Sequence, residues 1–445
     1  MVKKEIYSIY LPALLSGIVY LLLAYFTPRT QFVQLIGLVS ACFILYIFLC
    51  RQAFTFKTGL GIAIIFRVIF MLAYPHLSDD YFRFYWDGTL LLNGENPYLH
   101  LPSYYLENGN TQPELTPELF AQLNSPAYYS VYPPVCQFIF AFVKLLAQNN
   151  ILIYCMVLRL LIIAAETASM LIMRKILFFL RLPEKQIWLY GFNPLVILEL
   201  TGNLHFEAFV ILALLISIYF LLQNKTSTSA IALGLAVTIK LLPLVFLPPL
   251  IKYLGWKRFM VFAGLVAGVI FISFIPFISQ ALVTHIADSI NLYFQKFEFN
   301  ASIYYLLRWL GYLVSGYNQI AVLGPLLGLT VLFTVLYLTS HLKTGPSELL
   351  KVFLISLSVY FFLATVVHPW YITTLVVLAA LINWKYPLVW SYVAFLSYSA
   401  YRTASYQENL YLVTLEYTIV FGTLFYKIYR QQKIKQLLTT SNTGL

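Results

Sequence analysis

The sequence predicts an all-α, polytopic integral membrane protein of about 12–14 transmembrane helices. Three observations carry this. Of its 445 residues, 61% are hydrophobic and 10% charged, against about 25% charged in an average soluble domain. Apolar runs of about 20 residues, the length that crosses roughly 30 Å of hydrocarbon, recur from the N-terminus to Arg430. The net charge of +11 is spread singly over short loops instead of forming a patch. That pattern argues against a nucleic-acid surface and fits the excess of Lys and Arg in cytoplasmic loops.

Taken in order, residues 1–430 read as one polytopic membrane domain and 431–445 as a cytoplasmic tail. The first run, Ile6 to Phe26, is long for a signal peptide, lacks a small-residue cleavage site and leads straight into another span, so it reads as a retained helix. Basic residues gather at Lys3 and Lys4, Arg51 and Lys57, Arg174 to Lys185, Lys252 to Arg258, Lys343 to Lys351, and Lys427 to Lys435. If these are cytoplasmic, both termini lie inside. The other connections then face out: Thr27 to Gln31, a long loop 75–130, Thr201 to Phe206, the turn Lys240 to Pro243, a second large loop 279–317, Val366 to Trp370, and Tyr401 to Asn409. Loop 75–130 holds seven acids and one arginine, Arg83.

Counting Val131 to Ala147 as a crossing would put Arg174 to Lys185 outside, so it reads as a juxtamembrane or re-entrant helix opened by Pro133 and Pro134. Ala230 to Tyr253, interrupted by Pro243, Pro248 and Pro249, reads as two short helices meeting near Lys240. With both choices the count is 14. Cys42, Cys50, Cys136 and Cys155 lie in or beside apolar runs without metal-ligand spacing and read as small buried hydrophobes.

The polar stretch HLSDDYFRFYWDGTLLLNGENPY, His76 to Tyr98, stands out in so apolar a chain. If the preceding span stays helical as it leaves the membrane, Asp79, Arg83 and Asp87 fall at i, i+4 and i+8 on one face, with Asp80 beside them. The rings of Tyr81, Phe82, Phe84, Tyr85 and Trp86 then belong at headgroup level. Gly88, Gly94 and the Asn96-Pro97-Tyr98 turn send the chain back.

Further polar groups fall at outward corners or within spans. Arg67, Arg159, Glu166, Glu199 and Lys240 lie where burial is costly unless they are paired or line a wet cavity. Arg159 and Glu166, seven apart, share a helix face and read as a brace. His205 and Glu207 sit in GNLHFE, His368 sits in VVHPWY, and Arg308 follows FNASIYYLL. Lys240 and Arg308 are the cations best placed to meet a phosphate. No phosphate-cradling glycine loop and no HExxH, GxSxG or CxxC occurs, so a soluble nucleotide donor has no docking motif here.

In their order, SDDYFRFYWDGTLLLNGENPY, YPP, NPLVILELTGNLHFEA, GLAVTIKLLPL, FNASIYYLLR and HPWY resemble the GT-C-fold glycosyltransferases. More specifically, they resemble bacterial polyprenol-phosphate-mannose-dependent alpha-mannosyltransferase-like proteins, over about Arg67 to Tyr371. The resemblance implies a GT-C-like fold in a bacterial cytoplasmic membrane, a polyprenyl-phosphate sugar donor, and a lipid or glycan acceptor at the outer face. It also implies an inverting displacement in which an aspartate of the first large loop takes the acceptor's proton. That role falls on Asp79, with Asp80 the alternative. Arg83, Asp87, Tyr98, His205, Glu207, Lys240, Arg308 and His368 are the candidate substrate-binding residues. Relatives often carry Gly where this chain has Leu204, a departure next to His205.

No cofactor is required by that chemistry, although Asp79, Asp80 and Asp87 are of a type that holds a divalent metal. The expected partners are the two substrates and membrane lipids, without nucleic acid. The rival reading is a transporter or flippase of lipid-linked or small solutes, which would place its polar site near the midplane between repeated halves.

Overall fold

The computed structural model describes residues 2–107, 112–295, 297–403 and 406–442. The chain is helical throughout these residues, apart from loops and one isolated parallel bridge between Phe299 and Val366. Apart from Leu282–Gln295 and Ile303–Ser315, the helices of more than ten residues begin with α1 (Val2–Phe26), α2 (Phe32–Arg51), α3 (Phe56–Val68), α4 (Asp80–Leu92), α5 (Pro134–Ala147) and α6 (Ile151–Phe179). These are followed by α7 (Glu207–Leu222), α8 (Thr226–Ile239), α9 (Trp256–Phe274), α10 (Ile320–Ser340), α11 (Pro346–Leu363), α12 (Ile372–Ile382) and α13 (Leu410–Asn442).

Six helices among the described residues are long and apolar enough to cross a membrane: Ser8–Phe26, Phe32–Arg51, Ile151–Phe179, Trp256–Phe277, Ile320–Ser340 and Pro346–Leu363. A seventh arises if Pro194–Gly202 and α7, bent by 115° at a short break, form one span. The long spans are fewer than the apolar runs because several runs break into short helices, among them Pro134–Ala147, Thr226–Ile239, Leu242–Leu254 and Pro369–Ile382. At 14 residues, α5 reaches about 21 Å, well under a hydrocarbon core. The run Ala230 to Tyr253 breaks at Lys240, which is extended at the end of α8 before a single 3-10 turn carrying Pro243. At the other end α13 continues to Asn442, through most of the stretch read as a tail; residues 443–445 lie outside the described part.

Two expectations about the acidic stretch are corrected. The chain does not stay helical from the preceding span: α3 stops at Val68, and α4 starts afresh at Asp80 after a loop. Most of the rings also face inward instead of outward, since Tyr81, Phe84, Tyr85 and Trp86 are buried in the protein and Phe82 is half-buried. The reason is packing against α5. Phe84 stacks on Phe140 at 4.7 Å, and Gly88 lies so close that a Cβ there would stand 2.6 Å from the Phe140 carbonyl oxygen. Glycine lets the two backbones touch, and α4 becomes a core element.

Buried charges brace this bundle. The Arg67 guanidinium meets Glu166 at 2.6 Å, with both side chains fully buried, and Thr201 donates to the same carboxylate at 2.5 Å. Arg159 donates to the carbonyls of Thr201, Met71 and Gly202. The expected brace is therefore present, but Arg159 and Glu166 each hold a different partner. These bonds clamp the segment 197–202, a π-helical turn, and such turns recur at functional sites.

Candidate functional site

Four corners meet at the start of α4. The turn between α1 and α2 brings Arg29, whose backbone N–H bonds the His76 carbonyl at 3.4 Å and whose guanidinium bonds the Asp79 carboxylate. The π turn is tied to the same loop through Asn203, which accepts the Leu77 N–H at 3.2 Å. After that turn His205 lies 3.8 Å, Nε2 to Oδ2, from Asp80. Trp370, from the HPWY corner, stacks on His205 at 3.9 Å between ring centroids. Tyr401 sits under the Arg29 guanidinium at 4.9 Å.

Asp79 and Asp80, adjacent in sequence, have different surroundings. Asp79 caps α4 with its side chain 37% exposed and in the grip of Arg29. Asp80 is 18% exposed, in the first helical turn where the backbone dipole favours a carboxylate. Its N–H bonds the Ser78 hydroxyl at 3.3 Å, and Asn124 donates to its Oδ1 at 2.5 Å. Burial pushes its pKa above the ordinary value; His205 and Asn124 pull the other way, and Asp79 and Glu207 add to the rise. A partly buried carboxyl with one oxygen left facing an imidazole is a group with raised proton affinity and an open acceptor position.

The other predicted residues divide into two sets. His205, Glu207, Lys240 and His368 join the two aspartates. Glu207 opens α7 and pairs with Lys240, whose ammonium stands 3.8 Å over the Tyr371 ring. These residues edge an apolar recess with Leu242, Pro243, Phe246 and Leu357. His368 stacks on Trp370 at 4.2 Å and on Phe299 at 4.6 Å. Burial, with the Lys240 and His205 charges behind it, pushes the His368 imidazole well below its ordinary pKa. Leu204 has a left-handed backbone at φ 64°, a conformation that a residue with a Cβ adopts at some cost.

Arg83, Asp87 and Tyr98 lie elsewhere. Arg83 and Asp87 form a buried ion pair at 2.8 Å. Arg83 also donates to the Ser125 and Tyr128 carbonyls, and Asp87 accepts from Ser130 and Gln137. This pair pins the far end of the long loop to α4. Tyr98 is buried, donates to the Tyr132 carbonyl at 2.6 Å and packs edge-on against Phe277. Arg308 belongs to a neighbouring cluster in which it pairs with Glu298 and covers the Tyr305 ring at 4.2 Å. Tyr305 in turn bonds Glu408.

Sequence reading missed Arg29, Asn124, Tyr398 and Tyr401 as contributors. A signal existed for Arg29, since a lone arginine in a short outward turn runs against the positive-inside bias. For Asn124 and the two tyrosines nothing in the pattern marked them. Among the described residues no three His, Cys, Asp or Glu side chains converge closely enough to hold a metal ion.

A family model described as alpha-(1->6)-mannopyranosyltransferase, N-terminal domain, matches residues 4–255. The chain belongs to this family. It is a membrane glycosyltransferase of the alpha-mannosyltransferase class, and the matched region contains both aspartates, the π turn and Lys240. No curated protein and no solved structure matches the chain.

Proposed function

We propose that this mannosyltransferase moves mannose from a polyprenyl-phosphate donor to a lipid or glycan acceptor at the outer face of a bacterial cytoplasmic membrane, with Asp80 as the general base and both termini inside. The observation that carries the reading is the Asp80 carboxylate. It is mostly buried, is anchored through one oxygen by Asn124, and holds the other towards a clustered rim of Asp79, His205 and Glu207. Asp79 is the less suitable base, because a carboxylate already paired with a guanidinium gives up proton affinity.

In this scheme the acceptor hydroxyl attacks the anomeric carbon as Asp80 takes its proton. The new C–O bond forms as the bond to the donor's phosphate oxygen breaks, and the phosphate leaves with that electron pair. A single displacement inverts the sugar, so a β-linked donor yields an α-linked product; the family description suggests an α-1,6 linkage. Lys240 is the cation for the leaving phosphate, at the edge of the recess that Glu207 and Tyr371 also line. Arg308, paired with Glu298 in the neighbouring cluster, is the second candidate cation. No metal takes part in these steps.

The test is incubation of the purified protein with radiolabelled polyprenyl-phosphate mannose and a membrane lipid and glycan extract. A labelled product is expected from the wild type and none from Asp80→Asn. Transfer at the wild-type rate by Asp80→Asn would rule out the base assignment, and label that only changes leaflet would favour a flippase.

A further inference from the structure

Beside Asp80 is a polar arrangement that the displacement chemistry leaves unused. His205 is buried, and its Nδ1 lies 2.9 Å from the Glu199 carbonyl oxygen and 3.4 Å from the Glu199 carboxylate. A neutral imidazole in this position carries its hydrogen on Nδ1, since both near atoms are acceptors. That leaves the lone pair on Nε2, which is buried, has no hydrogen-bond partner and faces Asp80.

Glu199 is itself fully buried and firmly held. Tyr398 donates to one of its oxygens at 2.6 Å and Asn203 to the other at 3.1 Å. It sits in the π turn, which aims its carbonyl and its carboxylate at the same imidazole. Trp370 closes one face of the ring. A buried acid, an oriented imidazole and an unpartnered nitrogen aimed at a carboxylate form a proton-accepting chain that packing alone does not call for.

We propose that Glu199 and His205 form a proton relay behind Asp80: the proton taken from the acceptor hydroxyl passes from the Asp80 carboxyl to His205 Nε2, and Glu199 is the positioning residue that orients the imidazole and stabilises its cation. This rests on the reading of Asp80 as the base. The step balances: the acceptor O–H bond breaks, one proton moves to carboxylate and then to imidazole, and Asp80 returns to its ionised form without a second reactant. The 3.8 Å gap is too long for a direct hydrogen bond, so the pair closes by about 1 Å when substrate fills the corner, as catalytic contacts commonly do.

The groups that face His205 are Asp80 from α4, Glu199 from the π turn and Glu207 from α7. Across Trp370, His368 couples to it, with Lys240 beyond. Burial opposes the imidazolium, and the Glu199, Asp80 and Glu207 carboxylates favour it.

The experiment measures kcat and KM for polyprenyl-phosphate mannose against pH, with a fixed membrane extract as acceptor, using the purified full-length chain and its His205→Gln, Glu199→Gln and Asp80→Asn variants. Relay action predicts that His205→Gln lowers kcat about 10²-fold with KM unchanged and loses the imidazole limb of the pH profile. Glu199→Gln should move that limb to lower pH, because losing the acid's charge weakens the imidazolium. If both variants keep the wild-type profile while Asp80→Asn is inactive, the relay is wrong and the base assignment stands. If Asp80→Asn keeps wild-type activity, both are wrong.

Discussion

At the residue scale the site turns on how unlike neighbours Asp79 and Asp80 are. Burial holds Asp80 above the ordinary carboxylate value of about 3.9. Its proton-accepting form is therefore lost at a higher pH than usual, and activity should fall along an acid limb displaced upward. Arg29 and Asp79 should shift that limb in opposite directions. Arg29→Gln leaves the Asp79 charge uncompensated beside Asp80, raises Asp80 further and moves the limb to higher pH. Asp79→Asn removes the like charge and moves it to lower pH. Rate profiles of the two variants check both signs; equal shifts would mean that the Asp79 pair does not act on Asp80.

At the element scale the loop 75–130 depends on α4, which carries Asp80, the proposed base, at its first turn and the Arg83–Asp87 ion pair at its middle. Asp87 is fully buried and is the guanidinium's carboxylate partner, so Asp87→Ala leaves Arg83 buried and uncompensated. The expected loss is about 3–5 kcal/mol, read as a lower thermal midpoint and faster proteolysis near Ser125. Gly88→Ala is expected to act at the same place for a different reason. The added methyl would press on the Phe140 backbone and prise α4 from α5, lowering both stability and activity, whereas Gly94→Ala, with open space around its Cβ position, should chiefly strain a turn at φ 79°.

At the scale of the whole molecule the corners of the site come from opposite ends of the chain. Arg29, Asp80, Asn124, His205, Trp370 and Tyr401 are joined only by the folded bundle. The buried Arg67–Glu166 pair is one of the ties that hold these ends together, since it clamps α3, α6 and the π turn. Orientation is open to a direct test. A cysteine placed at exposed Gln122 in the first loop should react with an impermeant thiol reagent in intact cells, and one at exposed Lys343 should not. With the half-buried Cys50 replaced by Ser, the native cysteines give little background, because Cys42, Cys136 and Cys155 are buried. The reverse labelling pattern would invert the topology and move the site to the cytoplasm.

What the sequence by itself determined was the class of molecule and its most polar block. Apolar run length, sparse charge and the SDDYFRFYWDG motif suffice for these, because hydrophobic length and local residue order are properties of the chain. It also marked Lys240 as a break, since proline chemistry is local. The tertiary structure decided the partners. Arg83 and Asp87 share a helix face as their spacing implies, yet close packing of α4 on α5 turned them inward. Arg159 and Glu166 face the same side of α6 but bond to different elements. Arg29 reaches Asp79 across 50 positions, and Glu199 reaches His205 through a π turn. Those pairings depend on where helices end and cross, which is settled by burial and side-chain volume summed over the whole bundle and has no signature in any short stretch.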